Sequence, residues 1–146
     1  MEAEIFSVQL VSWETSKEPL QHIRIEVFVK EQAVSIEEEW DGLDDDALHL
    51  LAVSQTGEPV GTNRMLIHEK TGHIGRMAVM KTWRGQGVGL ALMKTMVDIA
   101  RAQGLRDLFL NAQTYAIPFY EKVGFKAVGD EFDEAGMPHY RMERVL

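Results

Sequence analysis

The sequence predicts an α/β (α+β) fold in which helices flank a mixed sheet, and two patterns carry this prediction. Short apolar segments typical of strands alternate along the chain with segments whose apolar residues recur at helical spacing. Three glycines at alternate positions, 85, 87 and 89, join one such strand directly to a long amphipathic helix. Because 146 residues with 45% hydrophobic content can bury a core, we expect one domain over residues 1–146.

The first half of the chain is predicted to form a strand, a helix and then three strands. Leu20 and Ile23 begin a helical repeat, and Pro19 suits the start of this helix because its fixed φ fits a first turn. Turns around Gly57 and Gly72 separate the three later strands. The predicted elements are a strand at 5–13, a helix at 19–30, and strands at 47–54, 60–68 and 73–80.

The second half is predicted to alternate helices with strands and to end in two strands. Leu92 and Met96 lie on one face of the helix after the glycines, and Gly104 ends that helix. Thr114 caps the next helix, in which Pro118 is tolerated because it falls in the first turn. The predicted elements are a helix at 88–103, a strand at 105–111, a helix at 114–124, and strands at 125–129 and 139–145. The complete order is β-α-β-β-β-α-β-α-β-β.

The negative charge of the chain is concentrated in one segment. The net charge is -8, and seven of the 23 acidic residues lie between Glu37 and Asp46. The remainder is nearly neutral and offers no basic face for phosphates, so we do not expect nucleic acid as a partner. The acidic segment is interpreted as a solvated loop or a short capped helix. The alternative is a rim that attracts a cationic amine.

The composition also limits the kinds of functional site and the cellular location that we expect. The chain has no cysteine, which excludes disulfides, thiolate metal sites and a cysteine nucleophile. His49, His73 and His139 lack the close spacing of metal ligands, so we expect no metal. The acidic start at residues 1–4 does not fit a signal peptide, and no stretch approaches the roughly 18–20 apolar residues of a membrane span. We therefore expect a cytoplasmic protein that does not bind membranes.

The junction between Met77 and Leu90 predicts a site for a phosphate-bearing cofactor. The first backbone N–H groups of a helix lack intrahelical partners, and with the positive end of the helix dipole they attract an anion. Glycine lets a phosphate approach this backbone, and Arg84 adds a positive charge. A Walker loop would need lysine directly after Gly89, and a dinucleotide fingerprint would need glycine at position 90, so both are excluded. The alternative is an ordinary glycine-rich turn.

Two segments resemble the signatures of the GNAT acetyltransferase superfamily. The run Arg84-Gly85-Gln86-Gly87-Val88-Gly89 is similar to the pattern Arg/Gln-x-x-Gly-x-Gly/Ala. The stretch 111–125 is similar to the pattern Asn…Ala…Phe-Tyr-x-x-x-Gly-Phe, and the stretches 28–32 and 136–139 look like a bacterial subgroup of small GNAT proteins. The resemblance covers essentially the whole chain. It implies the GNAT fold, whose central sheet is mixed and mostly antiparallel.

The resemblance implies acetyl-coenzyme A (acetyl-CoA) as the acetyl-donor cosubstrate, with its pyrophosphate held by the glycine run. A backbone N–H near 77–79 is expected to face the oxyanion, and Asn111 is expected to lie near the pantetheine arm. The expected cofactor-binding residues are Met77, Ala78, Val79, Arg84, Gly85, Gln86, Gly87, Val88, Gly89, Asn111, Phe119 and Lys122.

Acetyl transfer to an amine needs a base for the amine and a proton for the departing thiolate. The resemblance implies Tyr120 as the general acid, a role that a phenol with a pKa of about 10 can fill. The alternative is a tyrosine that only packs. His139 is the first choice of general base, because the terminal strand borders the acceptor cleft of the fold. The other candidates are Glu38, Glu39, Asp41, Asp44, His49 and His73.

These expectations describe an N-acetyltransferase that transfers the acetyl group of acetyl-CoA to a primary amine of a small molecule. Direct attack in a ternary complex is favoured, because the chain has no cysteine to carry the acetyl group. Two alternatives stay open. One is an acyl-CoA-binding sensor module without turnover, and the other is a lysine acetyltransferase whose acidic segment docks a basic peptide. A homodimer also stays open.

Overall fold

The computed structural model describes residues 5–146. Seven strands and four α-helices form the framework of this part of the chain. The strands are β1 (Phe6–Val11), β2 (Leu48–Ser54), β3 (Pro59–His68), β4 (Thr71–Val79), β5 (Asp107–Gln113), β6 (Lys126–Glu134) and β7 (Met137–Val145). The helices are α1 (Trp13–Arg24), α2 (Ile36–Glu39), α3 (Val88–Ala102) and α4 (Ile117–Lys122), and α1 continues into a π-helical segment, Ile25–Glu31. None of the helices within 5–146 combines the length and apolar character that a bilayer crossing requires.

All seven strands form one sheet in the order β1-β2-β3-β4-β5-β7-β6. Neighbouring strands are antiparallel except β4 and β5, which run parallel. The predicted fold class and the predicted order of elements are therefore confirmed. β4 and β5 pair only from Thr71 to His73 on one strand and from Asp107 to Phe109 on the other. Beyond these residues the two strands diverge toward their carboxyl ends and open a gap in the sheet.

A β-bulge in β4 lies beside this gap. Thr62 pairs with Ala78 but Arg64 pairs with Gly75, so β4 carries one extra residue between the two pairs. Arg76 lies within the bulge with a φ of +53°, in the left-handed region that residues other than glycine rarely adopt. The bulge therefore changes the direction of the β4 backbone just before the glycine run.

Different helices cover the two faces of the sheet. Leu50 and Leu51 are adjacent in β2 and point to opposite faces. Leu50 belongs to the large cluster that packs under α3, whereas Leu51 belongs to the cluster that packs under α1. Tyr120 and Phe125 also belong to the large cluster, which anchors α4 on the same face as α3. The buried residues of α3 are Val88, Leu92, Met93, Met96, Val97 and Ala100, as the helical spacing predicted.

The structure corrects several predicted boundaries. α1 begins at Trp13 rather than at Pro19, because Ser12 caps it by accepting a hydrogen bond from the Thr15 N–H at 3.2 Å. Ser16 has non-helical dihedral angles, with φ −120° and ψ 16°, so Pro19 lies just after a kink that accommodates its missing N–H. β6 extends beyond the predicted end at 129 and β7 begins two residues early, so the last two strands form a longer hairpin than predicted.

Candidate active site

The divergence of β4 and β5 opens a cleft of about 450 Å³. Its walls come from β3 to β7 and α4, and from the segments 28–43 and 114–116. Tyr120 and His139, the predicted acid and base, both line this cleft, and Met77 and Asn111 line it with them. Of the other candidate bases, those that also line it are Glu38, Glu39, Asp41 and His73.

The glycine run lies where the chain passes from β4 into α3. Gly85 and Gly87 have φ values of +78° and +86°, and Gly87 is the N-cap of α3. A Cβ atom at either position would meet no heavy atom of the described residues 5–146 within 4 Å, so glycine is needed there for the left-handed backbone. A Cβ atom on Gly89 would lie 3.4 Å from Phe119 Cζ, so this third glycine permits close packing between α3 and α4.

The amino end of α3 has the properties of an anion site. Within 5–146, no side chain forms a capping hydrogen bond with its first turn. The backbone N–H groups of that turn are therefore available to an external acceptor, and the helix dipole favours a negative one. The glycine run thus leads directly into an uncapped helix start, which is the local geometry that the sequence predicted.

Arg84 carries the positive charge that the sequence predicted beside the glycine run, but a carboxylate is paired with it. Its two terminal nitrogens donate to both carboxylate oxygens of Glu31, at 2.6 and 2.7 Å, and its Nε donates to the Val79 carbonyl at 3.1 Å. The hydrogen bond from Arg84 lowers the pKa of Glu31, so the bridge is charged at neutral pH. A phosphate would have to share Arg84 with Glu31 or displace that carboxylate.

Tyr120 is held in the cleft by aromatic packing. It is 9% exposed, and its ring meets those of Phe119 and Phe125 edge to face, with centroids 5.0 and 6.4 Å away. Burial raises the pKa of Tyr120 above its ordinary value, because the charged phenolate is poorly solvated there. Tyr120 is therefore protonated at neutral pH and can act as a proton donor.

His139 presents one unprotonated nitrogen in its neutral form. Its Nδ1 lies 2.8 Å from the Met137 carbonyl oxygen, and because a carbonyl can only accept, Nδ1 must carry the proton. Nε2 therefore has a free lone pair, as a base requires. It lies 3.6 Å from Oε2 of Glu134, a residue of the cleft that the sequence-based prediction missed. Asn111 donates through Nδ2 to the other carboxylate oxygen of Glu134 at 3.2 Å.

The other two histidines considered as bases have different surroundings. His73 lines the cleft and stacks on Phe109 with ring centroids 4.2 Å apart, and burial lowers its pKa. His49 is 1% exposed and its Nε2 donates to the Asp44 carbonyl oxygen at 2.9 Å. His49 and Asp44 are not among the cleft residues, so neither can act there as a base.

The acidic segment is only partly a solvated surface. It contains the short capped helix that was predicted, since Ser35 caps α2 by accepting a hydrogen bond from the Glu38 N–H at 3.1 Å. Three of its seven acids, however, bind buried or half-buried arginines, and two of them, Glu39 and Asp44, are themselves buried. The pairs are Arg24 with Glu39 and Asp44, Arg64 with Asp41 and Asp44, and Arg76 with Glu39 and Asp41.

Four residues of these ion pairs form one wall of the cleft: Glu39, Asp41, Arg64 and Arg76. Burial raises the pKa of Asp41, but hydrogen bonds from Arg64 and from the Leu43 N–H outweigh it and lower that pKa to about 2. Asp41 therefore stays ionised, whereas burial raises the pKa of Glu39 despite its arginine partners. Arg64 and Arg76 are each the sole Lys, Arg, Asp or Glu of their strand, and this charge within a predicted strand was a sequence signal that could have revealed the wall.

Residues 13–146 match the family model described as the acetyltransferase (GNAT) domain. The chain belongs to the GNAT acetyltransferase family. A relative in Bacillus subtilis, named uncharacterized N-acetyltransferase YjcF, is 41% identical over 122 residues, which cover 83% of this chain and 86% of that protein. The crystal structure of Escherichia coli ElaA matches with a TM-score of 0.85 and 28% identity, covering 96% of this chain and 99% of that one.

A more distant structure shares the fold of this GNAT acetyltransferase. It is the PaiA N-acetyltransferase of Thermoplasma acidophilum, solved in complex with coenzyme A, which matches with a TM-score of 0.71 and 16% identity. The match covers 97% of this chain and 99% of that one.

The remaining predicted cofactor residues of the GNAT acetyltransferase occupy varied surroundings. Gln86 donates through Nε2 to the Thr82 carbonyl at 3.2 Å, which braces the glycine run. Val88 is 1% exposed, so only its backbone can face a ligand. Lys122 is exposed at the end of α4 and does not line the cleft. The half-buried or buried members are Ala78, Val79 and Phe119.

Proposed function

We propose that this GNAT acetyltransferase transfers the acetyl group of acetyl-CoA to a primary amine of a small molecule, by direct attack within a ternary complex. One observation carries the proposal: a single cleft holds a buried, protonated phenol, Tyr120, and a histidine, His139, whose Nε2 bears a lone pair. Amine acetylation needs this combination, because the amine must lose a proton and the leaving thiolate must gain one.

The donor is proposed to lie along β4, from the glycine run to the bulge. The N–H groups at the amino end of α3 hold the pyrophosphate. An N–H in the stretch 77–79 faces the thioester oxygen as that oxygen gains negative charge. Two features support this placement: β4 has no pairing with β5 beyond His73, and the bulge at Arg76 turns the following backbone. The coenzyme A complex of the PaiA enzyme supports a coenzyme A site on this fold.

The reaction balances with the two side chains in these roles. His139 Nε2 takes a proton from the ammonium form of the acceptor, and the neutral nitrogen attacks the thioester carbonyl carbon. A C–N bond forms, the C–S bond breaks, and Tyr120 donates its proton to the leaving sulfur. The second proton on the new amide nitrogen returns to Tyr120, and the imidazolium of His139 releases its proton to solvent. One proton is released for each amide formed.

A small acceptor is favoured over a basic peptide. A volume of about 450 Å³ lies within the usual range of small-molecule sites. Glu39 and Asp41 are engaged by arginines, so fewer carboxylates are available to dock a cationic peptide. The alternative of an acyl-CoA sensor differs from the enzyme only in turnover, and kinetics separate the two.

The test is thiol release from acetyl-CoA with panels of small primary amines, polyamines and lysine-containing peptides. We expect release that depends on a small amine and yields its N-acetyl derivative by mass spectrometry. Release without any acceptor counts as hydrolysis only. Tight coenzyme A binding with no acetylated product on any panel would contradict the enzyme assignment and favour the sensor, whereas acetylated peptides alone would favour the lysine acetyltransferase.

A further inference from the structure

The hairpin of β6 and β7 places a carboxylate beside the proposed base. Glu134 pairs with Met137 across a two-residue turn, Ala135-Gly136, in which both residues have positive φ values of +51° and +76°. This is the backbone pattern of a type I′ turn, whose twist matches that of the flanking strands. Two pairs further along, Phe132 lies opposite His139. Glu134 and His139 are therefore diagonal neighbours on the same face of the hairpin, within reach of each other's side chains.

The two groups that meet there are both hydrogen-bond acceptors. His139 Nδ1 carries the ring proton toward the Met137 carbonyl, so the Nε2 that faces Glu134 has only a lone pair. Oε2 of Glu134 is 3.6 Å from that nitrogen, which exceeds a normal hydrogen bond. Two acceptors at this separation do not satisfy each other, and a donor with several N–H bonds placed between them would satisfy both.

The position of Glu134 is set by a third residue. Asn111 of β5 donates to Oε1 of Glu134 at 3.2 Å, which leaves Oε2 for the side facing His139. His139 is 5% exposed, so its Nε2 is reached through the cleft, whereas the Glu134 side chain is 49% exposed and lies toward the mouth. The pair thus spans from the solvent side of the cleft to its interior.

We propose that Glu134 and His139 together form the docking point for the acceptor's primary ammonium group, an inference that rests on the proposed N-acetyltransferase function. The ammonium has three N–H donors. One donates to Oε2 of Glu134, and a second donates to Nε2 of His139 and passes its proton there. Glu134 then stabilises the resulting imidazolium. Asn111 acts as a positioning residue for Glu134.

The first arm of the test measures binding without turnover. The probe is n-butylammonium chloride, added to the protein with coenzyme A present, and the imidazole C–H resonances are followed by NMR. We expect a saturable shift of the His139 resonance in the parent and no such shift with sodium butyrate. Glu134→Gln should weaken n-butylammonium binding about tenfold, because one charge-assisted hydrogen bond is lost. Asp133→Asn removes a carboxylate from the opposite face of the same strand and should leave binding unchanged.

The second arm measures kinetics with an amine that the panel has shown to be accepted. Glu134→Gln should raise KM for the amine about tenfold and leave KM for acetyl-CoA unchanged, and Glu134→Asp should restore part of the loss. A Glu134→Gln variant that binds n-butylammonium as tightly as the parent would overturn the docking site, as would a parent protein that does not bind it. Normal n-butylammonium binding without any acetylated product would instead refute the proposed enzymatic function and leave the docking site standing.

Discussion

At the scale of single residues, burial and hydrogen bonding decide which side chains can move a proton. The pKa of Tyr120 is raised because its surroundings are apolar, and the rings of Phe119 and Phe125 are part of those surroundings. His139 has a defined tautomer because the chain folds the Met137 carbonyl onto Nδ1. Neither property belongs to the residue type alone.

The Tyr120 assignment predicts a specific kinetic defect. Tyr120→Phe removes one hydroxyl and keeps the ring that packs against Phe119, so folding and coenzyme A affinity should change little. Turnover should fall by about 10²–10⁴, the usual contribution of a positioned acid. Because the hydroxyl acts in the transition state, kcat and kcat/KM should fall together.

The matched control for this prediction is Tyr140→Phe. Tyr140 is half-buried on β7 next to His139 but does not line the cleft, so its variant should keep parental activity. If Tyr120→Phe lost less than threefold in kcat, the proton would have to come from another group and Tyr120 would be a packing residue.

At the scale of elements, irregular features place the site. β4 and β5 would form an unbroken sheet if their pairing continued past His73, and no cleft would then exist between them. The ion-pair wall closes one side of this opening and connects the acidic segment to strands β3 and β4. Its arginines lie 15 or more residues from their partners in the sequence, so the wall also joins distant parts of the chain.

The wall predicts a loss of stability in acid that depends on Asp41. Its pKa is about 2 in the folded protein against 3.8 ordinarily, so its contribution is present above about pH 4 and is lost as the pH falls toward 2. Because the side chain is 26% exposed, we expect this contribution to be about 1–2 kcal/mol at pH 7. Asp41→Asn should lower the free energy of unfolding by this amount and flatten its pH dependence between 4 and 2.

Urea unfolding across this pH range measures the effect, with Asp45→Asn as the control. Asp45 is an exposed carboxylate of the same segment, so its loss should change stability by less than about 0.5 kcal/mol. Parallel stability curves for Asp41→Asn and the parent would show that the ion pairs of Asp41 contribute no pH-dependent stability.

At the scale of the whole molecule, the proposed cofactor site predicts stabilisation by coenzyme A. A ligand present at 100 times its Kd stabilises a fold by about 2.7 kcal/mol. For a domain of this size that corresponds to a rise in Tm of roughly 5–10 °C. Coenzyme A should produce this rise and NAD should not, because the glycine run lacks the dinucleotide pattern.

Two glycine variants distinguish a loss of coenzyme A binding from a loss of stability that backbone strain alone would cause. Gly87→Glu should abolish the rise in Tm, since it places a negative charge beside the pyrophosphate. Gly104→Glu introduces the same residue at a left-handed glycine just past the other end of α3, with φ +76°, so it should lower Tm but retain the shift. A Gly87→Glu variant with a normal shift would refute the pyrophosphate assignment.

Local patterns in the sequence were sufficient for most of the fold. The order of strands and helices, the buried face of α3 and the turn chemistry at Gly87 depend on residues a few positions apart, and all of these were predictable. The start of α1 was missed because one capping side chain, Ser12, outweighed the proline signal. The glycine run could be recognised because an anion site at a helix terminus is itself a local structure.

Only the tertiary structure decided what those elements bring together. The approach of His139 to Glu134, the Glu31 bridge that occupies Arg84 and the arginine partners of the acidic segment all join residues through the register of the sheet or the packing of helices. One sequence carries no record of such register, since a charged residue in a strand looks the same whether it faces solvent or a buried partner. By itself the sequence determined the GNAT fold and the place of the glycine run, whereas the cleft and the ion pairs of its wall arise from contacts between distant segments.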